Sequence, residues 1–556
     1  MRTNVSVRRR RAIGAAIAAA AVCLGIAACG SSAPTGTEAD PSSLAPASSV
    51  IYLSAVVHPE GTLRQTTVTD LRKLTHAGAP LTQLLQAVAG STPLAGVNFK
   101  REVQSWVGSN AGVFATSAGA LTGAAEAIGG AVSGGISPEA LLHAAGAGLL
   151  AHGAPAALVL DTRDLAAARS FVSSLAKRQS AQHASYRGVA YDATAQGAAE
   201  AIVGKFAVFG DQAGVKEAID TYLGGPSLKS AGSAYETLAA KEPAGALAGI
   251  YLNPGTGQAS QLLQALPGQP RQAHISIVPQ HGSIELDVDL LSTTTQAEAQ
   301  AVSSASAATT LLAGLPGSSW LAAGIGEGGT HAARYLILLS TVVNLAANSV
   351  LAHLGGPALQ TLLAKLQSHA QAVQQLVSPW AGPAAVFAAG SGLLSIQAGL
   401  VIQSRSTAAA RGAVAQIGEL LSSAGAKVSS TAVPGAESAA RVSIAGLPVS
   451  LYIGAGSSKL VIGLGPESIQ GALSPTSELA SSSLYSSASS TLGGAKPSII
   501  VDFPMALALL EGLGLQENPQ VGRVLQRLRS LGTLAGAVQG LGNGVLRLRA
   551  IADLQG

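Results

Sequence analysis

The sequence predicts an α+β protein built as two tandem homologous domains, with mostly antiparallel sheet. A repeated pattern, alternating periodicities and placed turn signals lead there. Trp106-Val107-Gly108 leads into Gly112-Val113-Phe114-Ala115, and Trp380-Ala381-Gly382 leads into Ala385-Val386-Phe387-Ala388. Leu158-Val159 with Arg163 and Ala166–Arg169 returns as Leu400-Val401 with Arg405 and Ala408–Arg411, at a constant offset of 242. Lys205–Ile219 returns as Lys459–Leu473 at 254, and the openings Ser48-Ser49-Val50 and Ser318-Ser319-Trp320 match. The offset falls from 273 to 242 across the Gly/Ala-rich stretch 117–153, an insert present only in the first copy.

Within each copy the elements follow in order. Ala157–Asp161 is an apolar run of strand length. Leu165–Arg178 sets Leu165, Ala168, Phe171, Val172 and Leu175 on one helical face, as do Ala410, Ala413, Val414 and Ile417 in the second copy. Strands are expected at Gly188–Ala193 and Ala201–Phe209. A helix is expected from Asp211, whose carboxylate can accept the free N–H groups of the first turn, and the second copy starts its helix with Gly465-Pro466. Ala246–Leu252 and Ser498–Asp502 are the next strands. This β-α-β-β-α-β order predicts a ferredoxin-like core with an extra opening strand, a helical segment and a closing hairpin, its helices on one face. The hairpins turn at His281-Gly282 and Asn543-Gly544, the second a strong two-residue turn signal. Their last strands share an apolar face, Ile284, Leu286, Val288 and Leu290 against Leu546, Leu548 and Ala550. The other face is acidic in the first copy (Glu285, Asp287, Asp289) and basic in the second (Arg547, Arg549). Two readings follow: separate solvated faces, or faces that meet within one molecule or between two.

The N-terminus carries the clearest functional signal. Arg2 and Arg8–Arg11, with no acid, precede an apolar run from Ala12 to Ala28. A basic head followed by a short apolar run is an export signal, and the run is brief for a membrane span of about 20 residues. It ends in Ile26-Ala27-Ala28-Cys29, which resembles a lipobox; that resemblance implies diacylglyceryl on the thiol of Cys29, which becomes the new N-terminus. The expected divisions are a signal peptide at 1–28, a flexible Ser/Thr/Pro/Gly/Ala tether at 29–47, and repeats at 48–300 and 301–556, meeting between Ser292 and Leu315. Lys and Arg total 33 against 29 acids; without the five leader arginines the balance is 28 to 29, net −1, which argues against nucleic-acid binding. Cys23 leaves with the leader, so the mature fold has no disulfide and no thiolate site. Tyr335–Leu354 is nearly span-like, but Asn344, Asn348 and His353 favour a buried helix.

The opening Pro46-x-Ser48-Ser49-x-x-Tyr52-Leu53, the Trp-x-Gly before a strand and the step Phe209–Val215 resemble an actinobacterial family of exported proteins whose domain has no assigned function. The resemblance implies an envelope location and a repeated domain. It implies no catalytic residues.

The search for chemistry is largely negative. Gly324, Gly326 and Gly329 form Gly-x-Gly-x-x-Gly, but no acid follows about 20 residues on to hold a ribose, and the equivalent turn is His58-Pro59-Glu60-Gly61. The chain has no Gly-x-Ser-x-Gly, Walker A loop or His-Glu-x-x-His, and His143, His152 and His183 read as surface residues. Asp161, Arg163 and Asp164 cluster at a strand end, where the second copy has Gln403, Arg405 and Ser406. The recurring pairs Arg163/Arg405 and Arg169/Arg411 read as helix-flanking residues with buried stems, and Trp106 and Trp380 as core anchors. The expectation is a lipid-anchored protein on the outer face of the cell membrane, with no cofactor, metal or catalytic residue. It would bind a protein partner or apolar ligand. The alternatives are an extracytoplasmic hydrolase with an unrecognised site and a solute-binding lipoprotein of a transporter.

Overall fold

A computed structural model describes residues 39–75, 94, 97–117, 119, 155–255, 260, 263, 266, 268–327, 370–390, 395–445, 450–512, 522, 525–526 and 528–555. Cys29, the expected leader, residues 29–38 of the expected tether, the insert beyond Gly119, His143, His152, Gly329 and the Tyr335–Leu354 segment lie outside them. The chain divides into two compact units. Unit 1 holds residues up to Glu298 together with 540–548, and unit 2 holds 299–539 and 549–555.

Unit 1 contains β1 (Ile51–Val56), β2 (Val107–Ala115), β3 (Ala156–Thr162), β4 (Gln182–Tyr186), β5 (Val189–Ala193), β6 (Ala198–Val203), β7 (Phe206–Asp211), β8 (Ala248–Leu252), β9 (Gln272–Gln280) and β10 (Ser283–Leu291). They pair in the order β4-β5-β6-β7-β3-β2-β1-β8-β9-β10, each neighbour antiparallel. Its helices are α1 (Gly61–Thr75), α2 (Leu165–Arg178), α3 (Gln212–Tyr222) and α4 (Ala234–Ala239). Alternation sends Tyr52, Phe114, Val159 and Val208 to one core with Val215 and Ala218 of α3. It sends Leu158, Leu160 and Phe209 to another with Trp106 and Phe171 of α2. Helices thus cover both faces, not one.

The strand plan differs from the ferredoxin-like expectation. A split β-α-β unit brings two parallel strands together, whereas here β3 meets β7 antiparallel. The run expected as one strand from Ala201 to Phe209 is two, β6 and β7, folded back at Gly204 (φ +59), where a glycine opens a two-residue turn. The β4–β5 hairpin adds a strand the sequence reading missed.

Residues 40–47 are not a leash. Leu44 and Ala45 are buried in the core with Tyr52 and Phe114, and Asp40 accepts from the Ser42 backbone N–H at 2.9 Å and from Lys229 at 2.7 Å. The Ala47 N–H donates to the Pro226 carbonyl. Burying this apolar pair while Asp40 and the Ala47 N–H keep hydrogen-bond partners outweighs a composition that reads as linker.

Unit 2 contains β11 (Ser319–Glu327), β12 (Ala381–Ala389), β13 (Gln397–Ser404), β14 (Lys427–Ser430), β15 (Ser438–Ser443), β16 (Leu451–Gly456), β17 (Lys459–Leu464), β18 (Ile499–Asp502), β19 (Leu531–Gly542) and β20 (Val545–Leu554). The antiparallel order is β14-β15-β16-β17-β13-β12-β11-β18-β19, with β20 next to β19. The segment between Ser292 and Leu315, expected as a boundary without periodicity, is largely a helix, α5 (Thr295–Ala313). The tip of the β19–β20 hairpin, 540–548, belongs to unit 1. Asn543 (φ +58) and Gly544 (φ +81) form its turn.

Candidate functional site: a buried polar row

The polar residues converge on β1, β8, β9 and β10 of unit 1. Register places Tyr52 opposite Tyr251, Tyr251 opposite His274, and His274 opposite Asp289. Two residues along, Ser54, Gly249, Ser276 and Asp287 form a second row on the same face. The equivalent positions in unit 2 begin Ala322, Ile500 and Ala535, all buried and apolar.

Helix α4, N-capped by Ser233, lies over this face. Its Tyr235 ring stands edge-on to Tyr52 at 5.5 Å, Tyr251 at 5.4 Å and His274 at 6.2 Å. The bare Cα of Gly249 marks the centre. A Cβ there would lie 2.6 Å from Ser54 Oγ, 2.8 Å from His274 Nε2 and 3.2 Å from Glu242 Oε1. Only glycine lets a hydroxyl, an imidazole and a carboxyl crowd together.

The charges sit at one end. Asp287 and Asp289 have no exposed surface, yet the sequence reading put them, with Glu285, on a face pointing outward. Arg547, from the hairpin tip, binds Asp289 through two bonds of 2.7 Å, Asp287 at 2.8 Å and the Lys241 carbonyl at 2.5 Å. Desolvation works against the guanidinium's charge, but the bonds and charges of Asp289 and Asp287 outweigh it and raise its pKa. Beside it, the Gly542 and Gly544 N–H groups both donate to Glu298 at 2.9 Å, and Ser292 N–H donates to the Gly544 carbonyl. The acidic and basic faces therefore meet at Arg547, inside unit 1.

Burial first, and then the Arg547 charge, push His274 down to about 4. Burial, and then Asp40 and Asp289, push Glu242 up to about 7. The imidazole is neutral at physiological pH and weakly basic. Its Nδ1 faces Ser276 Oγ at 3.3 Å, not a carboxylate. A serine nucleophile needs a base of matched pKa oriented by a carboxylate at the far nitrogen. Ser54 and His274 lack that wiring. At its acidic end, Asp287 and Asp289 of the row hold Arg547 of the hairpin tip.

The residues singled out in the sequence lie elsewhere and serve the fold. Arg163 donates to the Gln104 and Ser105 carbonyls at 2.8 and 3.1 Å, and Asp164 caps α2 through the Ala167 N–H. Arg163, Arg169, Arg405 and Arg411 flank their helices and are exposed as whole residues. Trp106 and Trp380 are buried anchors, and Trp106 Nε1 donates to the Glu102 carbonyl at 2.8 Å. Gly324 and Gly326 lie within β11, and a Cβ on Gly324 would press on Ala308 of α5 at 3.0 Å, so that glycine permits helix–strand contact. His183 is exposed on β4 and pairs with Asp192 at 3.0 Å. Among the described residues no group of three or more His, Cys, Asp or Glu could hold a metal ion.

Tyr235, His274, Glu242 and Gly249 were missed. Their only signal is register, since no spacing in the chain brings 54, 242, 249, 274 and 547 together.

The model of a family described as a protein of unknown function, DUF3352, matches residues 12–550, and the chain belongs to that family. No curated protein matches. Solved structures of TP0453 show distant similarity: crystal form I at 9% identity and a TM-score of 0.23, over 47% of this chain and 81% of that one. Crystal form IV matches at 10% identity and 0.25, over 46% and 81%.

Proposed function

We propose that this chain is an exported actinobacterial lipoprotein, held at the outer face of the cell membrane by diacylglyceryl on Cys29. It acts by binding a protein partner or apolar ligand, without catalysis. The observation that carries the location is the basic head and short apolar run ending in Ile26-Ala27-Ala28-Cys29. Among the described residues no helix is long and apolar enough to cross a membrane. We read the two units as tandem copies, supported by their matching strand orders and by the paired residues Trp106/Trp380 and Arg163/Arg405. The non-catalytic reading is supported by the buried row, whose polar groups are turned toward one another and whose imidazole lacks an orienting carboxylate.

The experiment is fractionation of cells expressing wild type and Cys29→Ser. Wild type enters the detergent phase, while the variant accumulates as a larger, unprocessed precursor. Identical size and partitioning of the two proteins would refute the anchor. Mass spectrometry of small molecules retained by protein purified without its anchor tests for an apolar ligand.

A further inference from the structure

Glu200 lies on β6 in unit 1 with no exposed surface, and neither carboxyl oxygen has a hydrogen-bond partner. Its neighbours Ala199, Ala201 and Val203 pack into the core under α3, so Glu200 points to the opposite face, beneath α2. There α2 lays down Phe171, Val172 and Leu175, and turns Arg169, Lys177 and Arg178 to solvent. On β7 the cross-strand partner is Phe209. The charged neighbour is Asp192, directly opposite on β5, which is itself paired with His183 on β4.

The His183–Asp192–Glu200 row thus runs from solvent into an apolar core. Register in unit 2 gives Ser430, Ala440 and Ile453, the last two buried in its core. An aliphatic residue therefore fits this strand plan, and the acid is no requirement of it. With no accessible surface there is no room for water against the carboxyl. An ionised carboxylate, unpartnered and facing Asp192, has no means of compensation there.

We propose that Glu200 is a proton-held latch: as the neutral acid it stays beneath α2, and its ionisation loosens the β4–β5–β6 end of unit 1. Burial, and then the Asp192 charge, raise its pKa from 4.5 to about 7. The folded state then keeps a proton that the unfolded state has lost. Its stabilising effect is complete below about 4.5, fades as pH rises and is gone above about 7.

The test is denaturant unfolding of the full chain between pH 5 and 8.5, comparing wild type with Glu200→Gln and Glu200→Ile, the latter copying Ile453. Glu242, Asp70 and Glu217 shift in the same direction but are common to all three proteins and cancel in the difference. Across the window the wild-type folding constant should fall relative to either variant by up to about tenfold per pH unit, and the ratio should level off above about 7. Parallel pH profiles would overturn the proposal. If neither variant folds, hydrogen exchange of wild-type β5 and β6 amides decides. Corrected for intrinsic exchange, protection should drop between pH 6 and 8; unchanged protection overturns the latch.

Discussion

At Arg547 one guanidinium pairs with two carboxylates that have no contact with solvent. Burying ions is costly, and removing one member of such a group leaves charges with nothing to offset them. Arg547→Met should therefore destabilise unit 1 by about 3–5 kcal/mol. Adding Asp289→Asn to that variant should recover part of the loss. Urea titration reads both, and an unchanged midpoint for Arg547→Met would show that the cluster contributes nothing. Gly249 gives a second residue-scale prediction. A methyl group there displaces Ser54 Oγ, His274 and Glu242 at once, and overpacking of this kind costs about 1–3 kcal/mol. Thermal unfolding of Gly249→Ala measures it. The sequence showed the opposite charges on the two closing strands but not that the acids face inward. Alternation alone favoured Leu286 and Val288 as the buried set, yet both are half-exposed while Asp287 and Asp289 are sealed. A partner 258 positions away in the chain leaves no trace in local pattern.

Among the elements, long amphipathic segments were legible and short strands were not. Helix α2 was read with its boundaries and buried face, and Asp211 as the cap of α3. Its Oδ1 accepts from the Gly214 N–H at 2.8 Å and its Oδ2 from the Ala156 N–H at 2.7 Å. Asp211→Ala should therefore cost about 1–2 kcal/mol, at the upper end for a cap because it also frees a strand N–H. Equilibrium unfolding checks this. The β6–β7 turn was hidden because its flanks are continuously apolar, so one strand was read where two fold back. The turn between β16 and β17 uses Ser457 (φ +47) and Ser458 (φ +62), with no glycine to announce it. That matters for register. The strands correspond at an offset of 253, Val208 with Val461, while the helices after them correspond at 254, Val215 with Ile469. Extending 254 back into the strands reverses their faces, because a one-residue slip exchanges the two sides of a sheet.

Across the whole molecule, sequence divides the chain near residue 300, and the compact units divide at Glu298, but unit 1 also includes 540–548. A fragment of residues 48–300 lacks Arg547 and the turn N–H groups that bind Glu298. It also lacks Pro41, Ser42, Leu44 and Ala45, which are buried in that unit. It should be less stable than the same unit in the full chain, and hydrogen exchange in β9 and β10 should show it; equal protection would mean that the hairpin tip is dispensable. The proposed envelope location rests on the N-terminal pattern ending at Cys29, because export signals and lipidation sites are read as local patterns. The most direct test of the account is the intact mass and N-terminal residue of wild-type protein extracted from membranes. The account predicts a chain starting at Cys29 that carries the mass of a diacylglyceryl group. A mature chain starting elsewhere, or at an unmodified cysteine, would contradict it.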